Sequence, residues 1–463
     1  MADLKISKLL PVSSCNGTEE IPMSLNGSSA KVTVDQIAEY AATYEGGADY
    51  YGCSFTGANP DGVREGNYDL HRILPIHNLM HGCLLDDNGN ETLQLPNGTW
   101  NGEDRSGNSG QVMVAIPNFY FKCFYDSGVV RFQILNKAPQ KGVLYSGWKQ
   151  FFGNNVDYVY CSAYEASIDR TSGKLSSVIN YTTQFRGGNN NSGWDSTYKS
   201  LLGRPVSNLN RIQFRTAARL RNNSNTSWNE YIYAIHVMLS WLFYIEYNTL
   251  NSQKPYNPIL DINGFKQGGL GKGVSDIPDW GGYNENNPFV QCGATDSLGN
   301  RSGVVNCDIL AADGTTVYYT AQVPRYRGVE NPFGHLWKWA DGINITEDGT
   351  TRLIYVSKNP DIFNDNNVIG YLNRGEASHH EGWVKNMILG VNGTLFPSIV
   401  GGSSSTYWCD YYWLNTSPNL YGALLGGRAS LGASDGFGCV NADGVPSGAA
   451  AAIGSRLCFV KQA

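Results

Sequence analysis

The stretch "NPFGHLWKW" (331–339) contains residue types from which a catalytic pocket can be built. His335 has a side chain that can take or give a proton near neutral pH. Two interpretations are open: the aromatic residues frame a pocket in which His335 acts, or they close a hydrophobic core. The second interpretation favours His335 and Lys338 facing solvent or a loop. The aromatic residues that it buries are Phe333, Trp337 and Trp339.

Other candidate sites are weaker. His379 and His380 are adjacent, and adjacent side chains point apart on a strand or helix, so no metal site is predicted there. "GGLGKG" (268–273) lacks the Ser or Thr and the strand-to-helix context of a phosphate-binding loop. No motif for an activated serine or cysteine is present. The ten cysteines form no CxxC pair, so we expect mainly buried free thiols, with one or two disulfides as the alternative. No cofactor is predicted.

Length and composition limit the class of protein. At 463 residues the chain exceeds what one core usually organises, so two or three units are expected. A net charge of −6 without a Lys/Arg block argues against nucleic-acid binding. A low charged fraction with much Gly, Tyr and Trp is typical of a loop-rich β protein that binds ligands. The apolar run 231–247 is too short for a membrane span, and the N-terminus lacks a secretory signal. We therefore expect a soluble protein without membrane insertion.

The chain divides into three parts. Residues 1–45 read as short strands followed by a helix, and 46–104 as a β-rich connector or the start of the main domain, with 69–80 also read as β. Helical periodicity predicts helices within 207–223 and 229–253, and none beyond. The predicted fold class is α+β, with two helices, small irregular antiparallel sheets and long loops.

The first part carries a specific resemblance. "LKISKLLPV", "EEIPMSL" and "KVTVDQIAEYA" within 1–45 resemble the N-terminal virion-attachment module of bacteriophage fibre proteins. The resemblance implies that residues 1–45 bind other virion proteins. It also implies a homo-oligomer, with a trimer as the geometric expectation, exposed on the virion surface.

A second resemblance covers about 105–463. It is carried, in order, by "GQVMVAIPNFYFK", "FRTAARL" before "YIYAIHVMLSWLFYIEYNTLNSQ", "VPRYRGVENPFGHLWKWADGINI", "ALLGG" and "IGSRLCF". These segments resemble the C-type-lectin-like fold shared by formylglycine-generating enzymes and the variable receptor-binding proteins of phage diversity-generating retroelements. The resemblance implies a C-type-lectin-like domain over 105–463.

The resemblance does not extend to the enzymes' chemistry. Two cysteines follow the Gly-Gly motif in the enzymes, and Leu431 and Gly436 occupy the corresponding positions here. Cys439 lies three residues beyond the second position. Without both thiols the nucleophile and copper ligands of that family are missing. We therefore predict a protein that is not an enzyme.

In the phage relatives, the segment between the Trp-rich element and the last strand contacts a host receptor. The corresponding segment here is 406–448. Aromatic area and hydrogen-bonding groups suit a glycan, and would also suit a protein epitope. The predicted ligand-binding residues are Tyr407, Asp410, Tyr411, Tyr412, Trp413, Asn415, Tyr421, Arg428, Asp435 and Asn441. Two alternatives remain: several of these tyrosines pack in the core, or the Ala/Gly/Ser-rich run 429–452 packs this face against a neighbouring subunit.

These observations favour a structural virion protein, a subunit of a phage head or tail fibre or spike. It would attach to the particle by its N-terminus and bind a host-surface ligand, a glycan in the first instance, by its C-terminal face. The alternative is a purely structural capsid or tail decoration protein that binds no receptor.

Overall fold

A computed structural model describes residues 20–25, 28–33, 50–137, 148–153, 156–390 and 393–461. Within the predicted attachment module it describes two antiparallel strands, β1 (Glu20–Leu25) and β2 (Ser28–Thr33). The helix predicted for that module lies outside the described residues.

Strands account for 36% of the described residues and helices, with the short 3-10 helices included, for 13%. The strands that follow in the first half of the chain are β3 (Tyr50–Thr56), β4 (Val63–Gly66), β5 (His81–Leu85), β6 (Glu91–Gln94), β7 (Gln111–Pro117), β8 (Tyr120–Asp126), β9 (Val129–Leu135), β10 (Lys149–Gln150), β11 (Tyr158–Ser162), β12 (Ser167–Ile168), β13 (Leu175–Ser176) and β14 (Trp228–Glu230). Those of the second half are β15 (Tyr256–Asn257), β16 (Gln267–Gly268), β17 (Gly303–Leu310), β18 (Val317–Tyr326), β19 (Val329–Glu330), β20 (Trp337–Glu347), β21 (Arg352–Val356), β22 (Leu372–Glu376), β23 (Gly382–Gly390), β24 (Thr394–Val400), β25 (Tyr411–Leu414), β26 (Asn419–Leu425), β27 (Val440–Ala442), β28 (Ile453–Gly454) and β29 (Leu457–Phe459).

Three sheets organise most of these strands. A five-stranded sheet has the order β10-β8-β9-β3-β4, and a six-stranded sheet the order β14-β29-β11-β7-β5-β6. The largest sheet has nine strands and follows β22-β21-β20-β26-β27-β25-β23-β24, with β28 beside β20. The expected α+β, C-type-lectin-like fold with two helices and small irregular sheets is therefore wrong. Segments that read as loops between Gly and Asn residues pair with strands far away in the chain, and such pairing leaves no local sequence signal.

Four α-helices are present in the described residues: α1 (Tyr68–Ile73), α2 (Arg211–Arg219), α3 (Tyr233–Tyr247) and α4 (Trp280–Asn284). The two predicted helices are confirmed as α2 and α3. The β prediction for 69–80 is wrong over α1, where the Asn67 side chain caps the helix by accepting from the Asp69 N–H. The expectation of no helix beyond 253 is wrong at α4, a short helix capped in the same way by Asp279.

Helix α3 forms the centre of the core. All of its residues are buried, as expected from a helix that is apolar on every side. The Trp241 ring lies 5.5 Å from Phe132 of the five-stranded sheet, and the Tyr233 hydroxyl donates to the Leu395 carbonyl of β24 (2.8 Å). The Tyr244 ring lies 5.7 Å from Trp408, just before β25. The helix thus joins two sheets and supports the segment that leads into β25. No helix in the described part of the chain is long and apolar enough to cross a membrane.

The Trp-rich stretch closes a core, as the second interpretation of "NPFGHLWKW" predicts. Its three aromatic side chains, Phe333, Trp337 and Trp339, are buried. The expectation that His335 and Lys338 face solvent is wrong, because both are fully buried. Their partner is the buried carboxylate of Glu165, which is 170 residues away from His335 in the chain. The nine described cysteines are free thiols, eight of them buried.

Candidate ligand-binding face

Three neighbouring strands of the largest sheet carry the candidate face. β25 lies between β23, which runs antiparallel to it, and β27, which runs parallel. Trp383 of β23 pairs with Tyr411 of β25, and Trp413 of β25 pairs with Asn441 of β27. Because alternate residues of a strand point to opposite faces, Tyr411 and Trp413 share one face while Tyr412 points to the other.

Three aromatic rings form a row on the accessible side of these strands. The rings of Trp383 and Tyr411 have centroids 5.5 Å apart at 82°, and those of Tyr411 and Trp413 are 4.5 Å apart. All three side chains are half-buried. Trp413 also packs edge-on against buried Trp337, with centroids 5.6 Å apart. We call Trp383, Tyr411 and Trp413 the aromatic row; contacts between the rings and with the core hold them in place while part of each remains accessible.

Polar groups lie beside the row. Asn441, also half-buried, uses its side-chain oxygen to accept from the Asp443 N–H (2.9 Å), which leaves its amide NH₂ to donate. Asn415 is exposed at the end of β25, and its side-chain oxygen accepts from the Ser417 N–H (2.9 Å). Arg428 is half-buried in the loop that follows β26, where its backbone N–H donates to Asp435 (3.1 Å). Asn441 and Asn415 add hydrogen-bonding capacity to the flat aromatic area.

Four of the ten predicted ligand-binding residues are buried: Asp410, Tyr412, Tyr421 and Asp435. The Tyr412 hydroxyl accepts from Arg352 (3.0 Å) beneath the sheet, and the Tyr421 hydroxyl donates to the Ser417 carbonyl (2.8 Å). These side chains are inaccessible to a ligand because they point to the inner face or are enclosed by backbone. For the two tyrosines, this burial agrees with the alternative in which tyrosines of the segment pack in the core.

The two buried carboxyl groups shape the loops around the face. Asp410 accepts from the Gly438 N–H (2.8 Å), and Asp435 accepts from the Arg428 N–H (3.1 Å). A side chain at Gly436 would place its Cβ 1.9 Å from an Asp410 oxygen, and one at Gly427 would lie 1.7 Å from Asp435. Burial raises the pKa of both carboxyl groups well above the usual value. Both therefore act inside the protein as fixed hydrogen-bond partners of the chain.

The segment leading into β25 has an unusual backbone. Tyr407 and Cys409 both have φ of 59°, in the left-handed region that non-glycine residues seldom adopt. The Tyr407 N–H donates to the Ala58 carbonyl (2.8 Å), and the ammonium of Lys385 lies 5.5 Å from the Tyr407 ring. Such conformations persist where surrounding contacts fix them, and they are frequent at binding sites. Tyr407, half-buried, is the remaining predicted aromatic residue on the accessible side.

The structure adds residues that the sequence interpretation missed. Trp383 and Lys385 lie on β23, outside the predicted segment 406–448, and reach the face because β23 pairs with β25. "GWVK" (382–385) does show strand-like alternation, with half-buried Trp383 and Lys385 on either side of buried Val384. That alternation indicates a strand but does not say which strand it pairs with.

Comparison with known proteins yields only distant similarity. No protein-family model matches the sequence, and no curated protein matches it. Among solved structures, PvdO from Pseudomonas aeruginosa is similar at 12% identity over 76% of this chain and 95% of that one, with a TM-score of 0.33. Weak neighbours also include the Major Tropism Determinant, with the U1 variant at 12% identity, 77% and 83% coverage and a TM-score of 0.21. The P3c variant matches at 10% identity, 88% and 95% coverage, also with a TM-score of 0.21. These TM-scores are too low to assign a fold or a function.

Proposed function

We propose that the protein is a non-enzymatic component of a phage virion that binds a host-surface glycan through the aromatic row. The observation that carries the proposal is the arrangement of Trp383, Tyr411 and Trp413, three adjoining rings that are fixed by packing and partly open to solvent. Amide groups of Asn441 and Asn415 beside the rings would bond sugar hydroxyls. The proposal therefore places ligand contact on strands β23, β25 and β27.

A glycan suits this surface better than an apolar ligand. The rings form a shallow strip with neutral amides beside it, and sugars offer both an apolar ring face and hydroxyl groups. Each site would bind weakly, since a shallow strip excludes little water. Several copies on one particle would raise the overall affinity by orders of magnitude through effective concentration.

The proposed attachment through residues 1–45 and the proposed homotrimer rest on the resemblance of the N-terminal sequence to fibre attachment modules. The neighbours named Major Tropism Determinant are, by that name, determinants of tropism, and similarity at a TM-score of 0.21 adds no support. The support comes from the N-terminal sequence and from the aromatic row.

Binding of the purified protein to an array of bacterial-surface glycans tests the ligand. We expect saturable binding to a subset of glycans, weakened by roughly tenfold or more in Tyr411→Ala and Trp383→Ala. Tyr181→Ala is the matched control, because Tyr181 is 51% exposed and lies outside the row. Equal binding by wild type and both row variants would refute the role of the row.

Deletion of residues 1–45 tests attachment. In the phage that encodes the protein, we expect the truncated protein to be missing from purified particles while it still binds the glycans found on the array. Particles that incorporate the truncated protein normally would contradict attachment through this segment.

A further inference from the structure

A concave surface that includes none of the aromatic-row residues offers a second candidate site. It is a cleft of about 1040 Å³, bounded by helix α1, the β15–β16 hairpin with its connecting loop, and the segment 298–304. Arg72 donates to the Asn263 carbonyl (2.8 Å), and the Tyr256 hydroxyl donates to the Ser302 carbonyl (3.0 Å). These bonds tie the three walls together, so the cleft is formed before any ligand arrives. Its volume is at the upper end of the roughly 300–1,000 Å³ typical of ligand sites, enough for more than a single ion.

The floor of the cleft is electrically balanced. Arg327 binds the buried carboxylate of Glu246 with two hydrogen bonds of 2.6 and 3.0 Å. Its remaining donors reach the His77 carbonyl (2.8 Å) and the Asn78 side chain (3.1 Å). Burial alone would raise the pKa of Glu246, but the charge and hydrogen bonds of Arg327 lower it, so the pair stays ionised. Arg327 thus holds both oxygens of Glu246, and Lys266 acts on this carboxylate only through its charge, without a hydrogen bond.

The walls carry further positive charge. Within the described part of the chain, Lys266 forms no ion pair, and its backbone carbonyl is held by Arg64 (2.7 Å). Arg301 donates only to the carbonyls of Leu298 (3.1 Å) and Ser297 (3.2 Å) and likewise has no carboxylate partner there. Arg72 is paired with Asp69, but both side chains are exposed, so solvent weakens that pair. Two cations that form no ion pair with any described residue therefore face one concave surface, in a chain of net charge −6.

The rest of the lining is suited to a carbohydrate. Tyr256, Pro258 and Leu260 provide apolar surface on the hairpin side, and Leu260 is 48% exposed. Asn97 and Asn300 supply amide groups on the opposite side, linked to each other by a 2.7 Å hydrogen bond. A ligand that matches this lining needs anionic groups, hydroxyls and an apolar ring face together.

We propose that this cleft binds an anionic oligosaccharide, with Lys266 and Arg301 holding its carboxylate, sulfate or phosphate groups. Charge-assisted hydrogen bonds from these cations would provide most of the affinity, and a concave site concentrates their field. A nucleic acid fits less well, because a backbone-tracking protein presents a longer run of cations than these two. The inference goes beyond the aromatic row, since it needs neither the row nor the virion assignment.

Titration of the full-length protein with defined fragments tests the proposal. The probes are a galacturonic acid tetramer for carboxylates, a heparin tetrasaccharide for sulfates, a phosphorylated mannose oligomer for phosphates, and maltotetraose as the uncharged control. We expect binding of at least one anionic fragment, no binding of maltotetraose, and a loss of affinity of about tenfold in Lys266→Ala and in Arg301→Ala. Binding should also weaken as salt concentration rises. Which fragment binds most tightly identifies the anionic group.

A matched control separates the cleft from general charge effects. Lys199→Ala removes a half-buried lysine that lies over Trp194, outside the cleft, and should leave affinity unchanged. Absence of binding by all three anionic fragments, or an equal loss in Lys199→Ala, would overturn the proposal. Trp383→Ala should bind the anionic fragment normally, so failure of the cleft and failure of the aromatic row give different results.

Discussion

The buried group formed by Glu165, His335 and Lys338 gives the sharpest test of how the Trp-rich stretch is held. The N–H groups of Phe289 and Val290 lie 3.2 and 3.3 Å from Nε2 of His335, and Nδ1 of the same ring forms a hydrogen bond with Glu165. Nζ of Lys338 lies 3.0 Å from the other Glu165 oxygen. Glu165→Gln keeps the shape of the side chain and removes its charge, leaving the buried lysine without a counter-charge.

The size of the expected loss of stability follows from the pKa of Glu165. Burial would raise this pKa, but His335 and Lys338 outweigh burial and lower it from 4.5 to about 2. A difference of this size between folded and unfolded protein corresponds to about 3 kcal/mol of stability. Because the folded-state pKa is the lower one, this stability is present above pH 4.5 and is lost as the pH falls through about 2. Breaking one side of a buried ion pair gives a similar cost of about 3–5 kcal/mol.

Urea unfolding followed by tryptophan fluorescence measures the effect. We expect Glu165→Gln to lower the free energy of unfolding by about 3 kcal/mol at neutral pH. The difference in unfolding free energy between wild type and variant should shrink as the pH falls from 4.5 toward 2. Adding Lys338→Met should restore part of the loss, since no unpaired charge is then buried. Asp61→Asn, which breaks the exposed pair with Lys254, is the control and should change stability by less than about 1 kcal/mol. The reasoning is refuted if Glu165→Gln and Asp61→Asn lower the free energy of unfolding equally. It is also refuted if the difference between Glu165→Gln and wild type does not depend on pH.

Three further outcomes are expected. Burial and the charge of Asp296 raise the pKa of Glu330 from 4.5 to about 7, so its contribution to the free energy of unfolding should fall by up to about 3 kcal/mol as the pH rises through this range. Glu330→Gln should make the free energy of unfolding less dependent on pH in this range. An unchanged pH dependence would mean that other groups cause it. Gly436→Ala should destabilise by about 1–3 kcal/mol or more, because a Cβ there meets Asp410, whereas Gly102→Ala meets nothing within 4 Å and serves as the control in thermal melts. Trp337→Ala should cost about 3–5 kcal/mol through cavity formation, and an unchanged melting temperature would contradict its place in the core.

Local sequence patterns predicted the parts of the structure that depend on near neighbours. The apolar run at 231–247 predicts a buried helix because its periodicity and length are properties of one segment, and α3 occupies Tyr233–Tyr247. For "NPFGHLWKW" the sequence offers two interpretations, and burial of the three rings agrees with the one in which they close a core. The same reasoning failed for His335 and Lys338, because polar side chains are placed outside unless a partner is known, and the partner Glu165 belongs to another part of the chain.

In the candidate site, too, the sequence predicts some features and only the tertiary structure shows others. The segment 406–448 was identified from sequence, and Tyr411 and Trp413 lie on its accessible face. Strand alternation decides that Tyr412 points inward, and that alternation could be applied only once the register of β25 was known.

The sequence by itself determined that the chain is rich in strands and loops, that it contains one buried apolar helix, and that an aromatic segment near its C-terminus is a candidate for binding. Only the tertiary structure decided that Trp383 completes the aromatic row and that Lys266 and Arg301 face one cleft. The physical reason is that strand pairing and cleft formation join residues far apart in the chain. Hydrophobic periodicity acts over a few residues, whereas these contacts depend on how whole sheets pack around α3.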